Sequence, residues 1–553
     1  MTPGQSCDVV VAGATLGGCL TALAAARRGA RVALVEGSPF LGTDLTAVLR
    51  LWLAGTPPDD AAGRFLRAVL MPAAEVAEDD VDRSGLDAAW HDETALFRGS
   101  IRKGLLGALD AAGVVTLLQC QPAAVLTAAG GRVGGLWLGS KQGLLQLTAP
   151  AVIDATAAAA VLRLHTPAAV IDPPRPEHRF TLGFAAAAWP SSRRLAVDPD
   201  LGLASSWVGF HAGRHSACPL WAEVAFSRDA TAAGPRADRC AVEILARQEA
   251  MALLAWLVRT EPALHSAVLA EMAAAVWSTP PAVEAAAVLP SGLWRGPSGL
   301  SAAATWSEAL ACLDQAEALA AAVETAGAGR ADAPAALTAA RPGPSRVDTA
   351  ATRLEPLDDP GLGLTLEAVH LASLDGVPHE PGADVLVAGA GTAGAPAALA
   401  ALEAGATTAV VEQLSDPGGT QTIGLVGGYY HGYRGGITAR LDAEQAALAE
   451  RLHPGRGGVR RLLRMAHYLD AIVRHGGRWY PGAVVCGGVV DGDRVRGLLV
   501  ADREGLVVLP AAVTLDATGD GDAAAACGVA ASFGDARSGN AQDCSQWSLG
   551  RGG

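Results

Sequence analysis

The chain has 553 residues, half of them hydrophobic and 18% charged, with a formal net charge of −14. That length exceeds one hydrophobic core and points to two to four domains, and the composition excludes disorder as the default state. The negative balance argues against a nucleic acid or an anionic membrane as partner, because both need a basic face.

No run reaches the roughly 18 apolar residues of a membrane span, and the N-terminus has no basic leader region. A cytoplasmic location is the expectation. The nine cysteines are scattered, with no C-x-x-C and no H-E-x-x-H elsewhere in the chain. This spacing predicts no ligated cluster, structural zinc or redox dithiol, and no metal site is expected.

In chain order, Asp8 to Glu36 reads as a buried strand, a glycine turn, an Ala/Leu-rich helix and a second strand ending in an acid. Gly13 and Gly18 hold the first and third glycine positions of a G-x-G-x-x-G fingerprint, and Thr15 holds the second. Gly42-Thr43 follows, then Phe97 to Cys120 as a helix leading into a strand. The run GGRVGGLWL reads as a hairpin. The unit closes on Asp154-Ala155-Thr156, followed by four alanines, Ala157 to Ala160.

The pattern then changes. Residues 166–325 mix prolines and tryptophans with strand-like runs such as Phe180 to Trp189, and with helical stretches at Ala237 to Trp277 and Trp306 to Ala326. Residues 326–383 read as an Ala/Pro/Gly-rich linker with connecting strands.

From Asp384 the first pattern returns without a gap and with its fingerprint complete. Gly389 permits a tight turn, Gly391 lets backbone approach a pyrophosphate, and Gly394 lets helix and strand pack closely. Glu412 stands as far beyond Gly389 as Glu36 beyond Gly13, about 20 residues on, where a carboxylate accepts from a ribose hydroxyl. The second hairpin, DGDRVRGLLV, leads to Asp516-Ala-Thr-Gly519-Asp520-Gly521-Asp522. Strand, helix, acid and spacing agree, so a dinucleotide site is expected here.

The pairing of G-x-G-x-x-G with a late D-A-T-G-D-G-D resembles the FAD-dependent oxidoreductases of the glutathione-reductase-like superfamily. There is a more distant likeness to the flavin subunit of heterodisulfide reductases, whose cluster-ligating cysteines have no counterpart in this sequence. The resemblance implies FAD as cofactor. It also implies that Asp522 faces the ribityl chain, that Asp520 is its neighbour or a helix cap, and that Gly519 and Gly521 form the turn. Gly418-Gly419-Thr420 resembles the family's flavin-edge loop, and 166–325 sits where the superfamily inserts a cap. The expected fold is α/β: two Rossmann-like FAD/NAD(P)-binding domains from an internal duplication, with an inserted α+β cap. The domains would be 1–165 (degenerate copy), 166–325 (cap or substrate domain), 326–383 (linker and connecting strands) and 384–553 (intact copy). The last of these stops as a new cap strand begins, as a fragment would.

The segment Asp416 to Gly436 gathers Tyr430, His431 and Arg434 among many glycines. His431 suits proton transfer near neutral pH. Arg434 suits a substrate carboxylate or a reduced, anionic flavin. The competing reading is a glycine-rich turn with packing tyrosines and a solvated arginine. Function is expected to be hydride transfer between a small organic substrate and FAD. The alternatives are a non-catalytic nucleotide-binding scaffold, or an NAD(P)H:acceptor reductase with FAD in the second copy and NAD(P) on Gly13, Gly18 and Glu36 of the first.

Overall fold

The structure is a computed structural model. It describes residues 6–530 except 73–91, 129, 186–187, 215–217, 230, 232–233, 285–288, 290, 328–336, 341–345, 348–352, 358–362, 425, 427–434 and 453–459.

The N-terminal unit is built on a five-stranded sheet. Its strands are β1 (Val9–Ala12), β2 (Val32–Glu36), β3 (Val115–Leu118), β7 (Ala151–Asp154) and β8 (Leu293–Arg295), in the order β8-β7-β1-β2-β3 and all parallel. Between β3 and β7 the chain forms an antiparallel meander, β4 (Gln121–Ala128), β5 (Val133–Ser140) and β6 (Gly143–Thr148). Helix α1 (Leu16–Arg27) connects β1 to β2 and packs against α2 (Trp306–Gly327). The fully buried VVVA of β1 reads as it should for a central parallel strand with both faces covered.

The C-terminal unit repeats this path. Strands β9 (Ala383–Ala388), β10 (Thr408–Glu412), β11 (Arg478–Pro481), β12 (Val484–Asp491), β13 (Arg494–Asp502) and β14 (Gly505–Asp516) lie in the order β11-β10-β9-β14-β13-β12. Helix α3 (Gly394–Glu403) joins β9 to β10. Here β14 is a single long strand that pairs antiparallel with β13 and then parallel with β9. It thus does the work of β6 and β7 together. Beyond Pro510 the side of β14 away from β9 has no partner strand among the described residues, and Val513 and Leu515 remain 52% and 37% exposed. In the N-terminal unit β8 covers that edge.

The two meanders pack face to face. Leu126, Trp137 and Leu144 form one buried cluster with Cys486, Leu499 and Leu506. Gly139 permits the approach: a Cβ there would lie 2.1 Å from the Cβ of Ala501. The indole N–H of Trp137 donates to Gln146 Oε1 at 3.1 Å, and the Gln146 amide donates to Glu367 at 2.8 Å, so the polar atom inside this apolar contact keeps a partner.

The middle of the chain forms a separate antiparallel sheet. Its main path is Arg194–Ala196, Ser205–Ala212, Leu220–Ser227, Glu177–Ala185 and Val268–Met272. Helix Pro235–Thr260 packs on it, with Pro235 in its first turn, where the missing N–H costs nothing. The helix expected to run to Trp277 stops at Thr260, because Pro262 cannot continue it, and the chain returns as strands. The end of the 166–325 segment leaves this sheet: β8 and α2 lie with the first parallel sheet.

Candidate functional site

The two fingerprints share a frame. Gly13 and Gly389 have φ of +100° and +85° and lie against the chain of the late motif, where a Cβ would come within 2.6 Å of Thr156 N and 2.5 Å of Ala517 O. Gly18 and Gly394 sit 1.9 and 1.8 Å, measured from a built Cβ, from the carbonyls of Gly13 and Gly389, so only glycine fits at either. The acids also match. Glu36 accepts from the N–H groups of Ala14 and Ser38 at 2.8 and 2.9 Å, and Glu412 from those of Ala390 and Leu414 at 2.7 and 2.9 Å. Burial raises the Glu412 carboxyl above its usual range, against the pull of those two N–H groups.

The helix starts differ. In the first unit Thr15 is the N-cap, its Oγ1 accepting from Gly18 N at 3.1 Å and donating to Ala155 O at 3.2 Å. The carboxylate of Asp44 then seats itself on the helix end. Its Oδ1 accepts from Leu16 N at 2.7 Å, and its Oδ2 accepts from Leu300 N, just ahead of α2, at 2.8 Å. Burial pushes this carboxyl up. Charged, it would repel a phosphate at 4 Å by about 4 kcal/mol at an effective dielectric of 20, more than the ~0.3–1 kcal/mol a helix end typically returns. Neutral, it still fills the place and uses the donors. The Leu16 N–H at this helix start therefore already has a protein acceptor.

In the second unit the corresponding position is open. Helix α3 has no side-chain cap, and a Cβ on Gly391 would meet nothing nearer than Ala517 O at 3.9 Å. Gly418 and Gly419, both at positive φ, fold beside it, close enough that a Cβ on Gly419 would lie 2.8 Å from Gly391 Cα. Thr392 Oγ1 donates to Gly418 O at 3.3 Å. Gln421, which takes the place of Asp44, is turned away to accept from Arg464 at 2.6 Å. These residues fit a dinucleotide pyrophosphate: N–H groups at a helix start, no side chain over them, and two glycines allowing close approach.

The late motifs share the same set of bonds within the turn, to which Arg295 adds its own on Asp154 and Thr156 in the first unit. Asp154 accepts from the N–H and hydroxyl of Thr156 and from Leu162 N; Asp516 accepts from the same groups of Thr518 and from Ala524 N. Thr156 and Thr518 accept from the N–H of Ala160 and Asp522. The aspartate and threonine of Asp-Ala-Thr therefore build the turn. Gly521 enters the following helix at φ +76°, and Ala159 does so at φ +53°, a conformation a side chain resists. The first unit thus has a glycine-shaped turn with alanine in it. Of the two roles expected for Asp520, neighbour of Asp522 or helix cap, the structure gives the first: the cap position is Gly521, with no side-chain bond, and Asp520 and Asp522 share Lys141. The Asp522 side chain is 16% exposed, against 72% for Asp520.

Below the middle sheet lies a cavity of about 860 Å³. It belongs to the first unit: Gly13, Glu36, Asp44 and Thr156 line it, with Met272 and Trp277 of the middle sheet opposite. Loop residues Gln413–Asp416, Thr422 and Ile423 of the second unit form part of the wall. His178, also lining it, is buried with Nδ1 on Ser278 Oγ at 2.8 Å, and burial drives its pKa down to about 4, so it is neutral at pH 7.

Buried ion pairs lock these parts together. Arg50 meets Glu223 of the middle sheet at 2.9 Å and donates to Ser301 O at 2.8 Å. Arg247 on helix Pro235–Thr260 pairs with Asp416 of the second unit. Asp502, 1% exposed, accepts from Arg236 at 2.6 Å and Arg239 at 3.0 Å. Its burial opposes ionisation, but the two guanidiniums hold its pKa below the usual value.

The structure thus brings Gly389, Gly391, Gly394, Glu412, Gly418 and Gly419 around one helix start. Thr420 lies on the outer side of that loop, and Gly519 to Asp522 form the adjoining turn. Tyr430, His431 and Arg434 lie outside the described residues. Among the described residues no group of three His, Cys, Asp or Glu side chains is placed to hold a metal ion, and no helix is long and apolar enough to cross a membrane. The sequence reading missed Asp44 and Lys141. Asp44 was findable as a carboxylate standing where the intact copy has Gln421. Lys141 was findable as one of only two lysines in a chain whose other basic residues are arginine.

A family model described as FAD dependent oxidoreductase matches residues 8–168 and 384–548, together more than half of the chain. No curated protein is matched. Solved structures with some likeness include a geranylgeranyl bacteriochlorophyll reductase-like protein from Thermoplasma acidophilum, at 15% identity and TM-score 0.40, covering 58% of this chain and 79% of that one. Another is a probable FAD-dependent monooxygenase from Pseudomonas aeruginosa, at 19% identity and TM-score 0.34, covering 58% and 87%. A third is glycine oxidase from Geobacillus kaustophilus, at 13% identity and TM-score 0.34, covering 58% and 95%.

Proposed function

The chain belongs to the FAD-dependent oxidoreductase family, and from that premise we propose that it holds a single FAD, in its C-terminal unit, and oxidises or reduces a small organic substrate there. The observation that carries this is the contrast at the two helix starts, α3 open and uncapped, α1 closed by Asp44. In this reading Gly391 and Gly418-Gly419 let the pyrophosphate reach the N–H groups of α3. Glu412 uses its remaining lone pairs on the adenosine ribose, and Asp522 accepts from the ribityl hydroxyls. When bound, FAD supplies two-electron chemistry through its isoalloxazine ring. Tyr430, His431 and Arg434, which follow the flavin-edge loop, are the side chains we assign to proton handling and substrate anchoring.

The N-terminal unit is read as a duplicated sibling that kept the scaffold and lost the cofactor. Its conserved hydrogen-bond turn, with Ala159 strained where the sibling has Gly521, supports descent from a binding copy. Residues 166 to about 290 are its cap. The Asp44 seat speaks against an NAD(P) pyrophosphate in the cavity under that cap.

The test is the stoichiometry of flavin released by acid from the purified protein, combined with turnover using an artificial electron acceptor. One FAD per chain and measurable turnover are expected. A protein that neither carries nor takes up flavin would sink the reading, and two FAD per chain would sink the assignment of the first unit.

A further inference from the structure

Each unit sends the tip of its meander hairpin into the other unit's site. Arg503 and Glu504, between β13 and β14, line the cavity of the first unit, and Glu504 pairs with Arg239 at 3.0 Å. Lys141, between β5 and β6, holds the place of Arg503 in the other hairpin, and its ammonium meets Asp520 and, at 3.2 Å, Asp522. Three carboxylates, Asp516, Asp520 and Asp522, gather on this one turn. Asp516 is committed to Thr518 and Ala524 N–H groups. The other two meet Lys141 on the turn that the FAD reading above places beside an anionic pyrophosphate and a ribityl chain. Without a cation, like charges would meet across that turn; Lys141 is the cation the structure brings, and the N-terminal unit supplies it.

We propose that Lys141 is a positioning residue of the C-terminal FAD site, orienting Asp522 toward the ribityl hydroxyls and offsetting the charge of Asp520 and Asp522 so that the FAD phosphates can approach. The inference rests on the FAD reading. It gives the N-terminal unit a task that its own lost cofactor does not explain: it completes its sibling's site, as a second subunit would. Lys141 is 29% exposed, so its ammonium retains some water and its charge is partly screened.

The test uses the full chain as Lys141→Met, Lys141→Arg and the parent, each stripped of flavin and titrated with FAD by flavin fluorescence. Lys141→Met should weaken FAD binding about tenfold, the scale of one lost charge-assisted contact, and Lys141→Arg should recover most of it. A second readout separates orientation from folding. Asp522 is faced by Lys141, Asp520 and Asp516; burial raises its pKa and Lys141 opposes that. Removing the ammonium should therefore make FAD release on acidification begin at a higher pH, with little change in melting temperature. A parent that binds FAD while Lys141→Met binds it equally, with the same acid profile, overturns the Lys141 assignment alone. A parent that takes no FAD overturns both.

Discussion

Helices α1 and α3 begin alike, on the same strand type, with the same two obligatory glycines and the same inward-turned glutamate. Their starts are in opposite chemical states. At α1 a threonine caps and an aspartate accepts from the Leu16 N–H; at α3 no side chain caps the helix. The same backbone frame can thus carry a helix start that the protein satisfies itself or one that it leaves open.

The sharpest way to break the contrast is to make the open end like the closed one. Gly391→Asp should abolish flavin binding, lowering FAD affinity by roughly 100-fold or more, while the fold survives, because the glycine adopts an ordinary φ and faces open space. Retention of flavin by this variant, measured by absorbance after gel filtration, would place the cofactor elsewhere.

The next test concerns what holds the C-terminal unit to the middle helix Pro235–Thr260. Asp502→Asn leaves Arg236 and Arg239 buried with a weakened partner and should cost about 3 kcal/mol in denaturant unfolding. The pH dependence has a definite sign. The folded-state pKa of Asp502 is lowered, so its contribution is present above the ordinary value of 3.8 and is withdrawn as pH falls through the lowered value. The parent should lose stability faster than Asp502→Asn on that acid limb; parallel melting curves across it would contradict the assignment.

Reversing the closed end is a smaller effect. Asp44→Ala strips the Leu16 and Leu300 N–H groups of their acceptor and should destabilise by about 1–3 kcal/mol. It should not raise the flavin count above one, because Ala157 to Ala160 still lack the acids of the late motif. A second flavin would show that Asp44 alone silenced the site. Smallest of all, Ala159→Gly should stabilise by about 1 kcal/mol, since glycine relieves the left-handed conformation. A destabilised variant would mean that the buried methyl group matters more than the backbone.

Much of this molecule was readable before any coordinates. The strand–glycine–helix–strand–acid order is local chemistry, and both copies, both hairpins and both Asp-Ala-Thr turns appear as their spacing predicts. Boundaries failed where a remote partner intervened. Leu293–Arg295 has no sequence mark of a Rossmann strand, and only its pairing with β7 makes it one. Asp520 could have been a neighbour of Asp522 or a cap; it is the neighbour, because the turn is already satisfied by Asp516 and Thr518.

By itself, then, the amino-acid order determined the repeated α/β frame, the glycines it requires and which unit carries the complete fingerprint, because each depends on residues within one turn or one strand of each other. Only the tertiary structure decided which side chain closes the first helix end, that the cavity under the middle sheet belongs to the first unit, and that Lys141 meets the carboxylates of the second. Those pairings join residues from 28 to 379 positions apart, and a charge acts through the distance in space that packing creates, which the order of residues along the chain does not record.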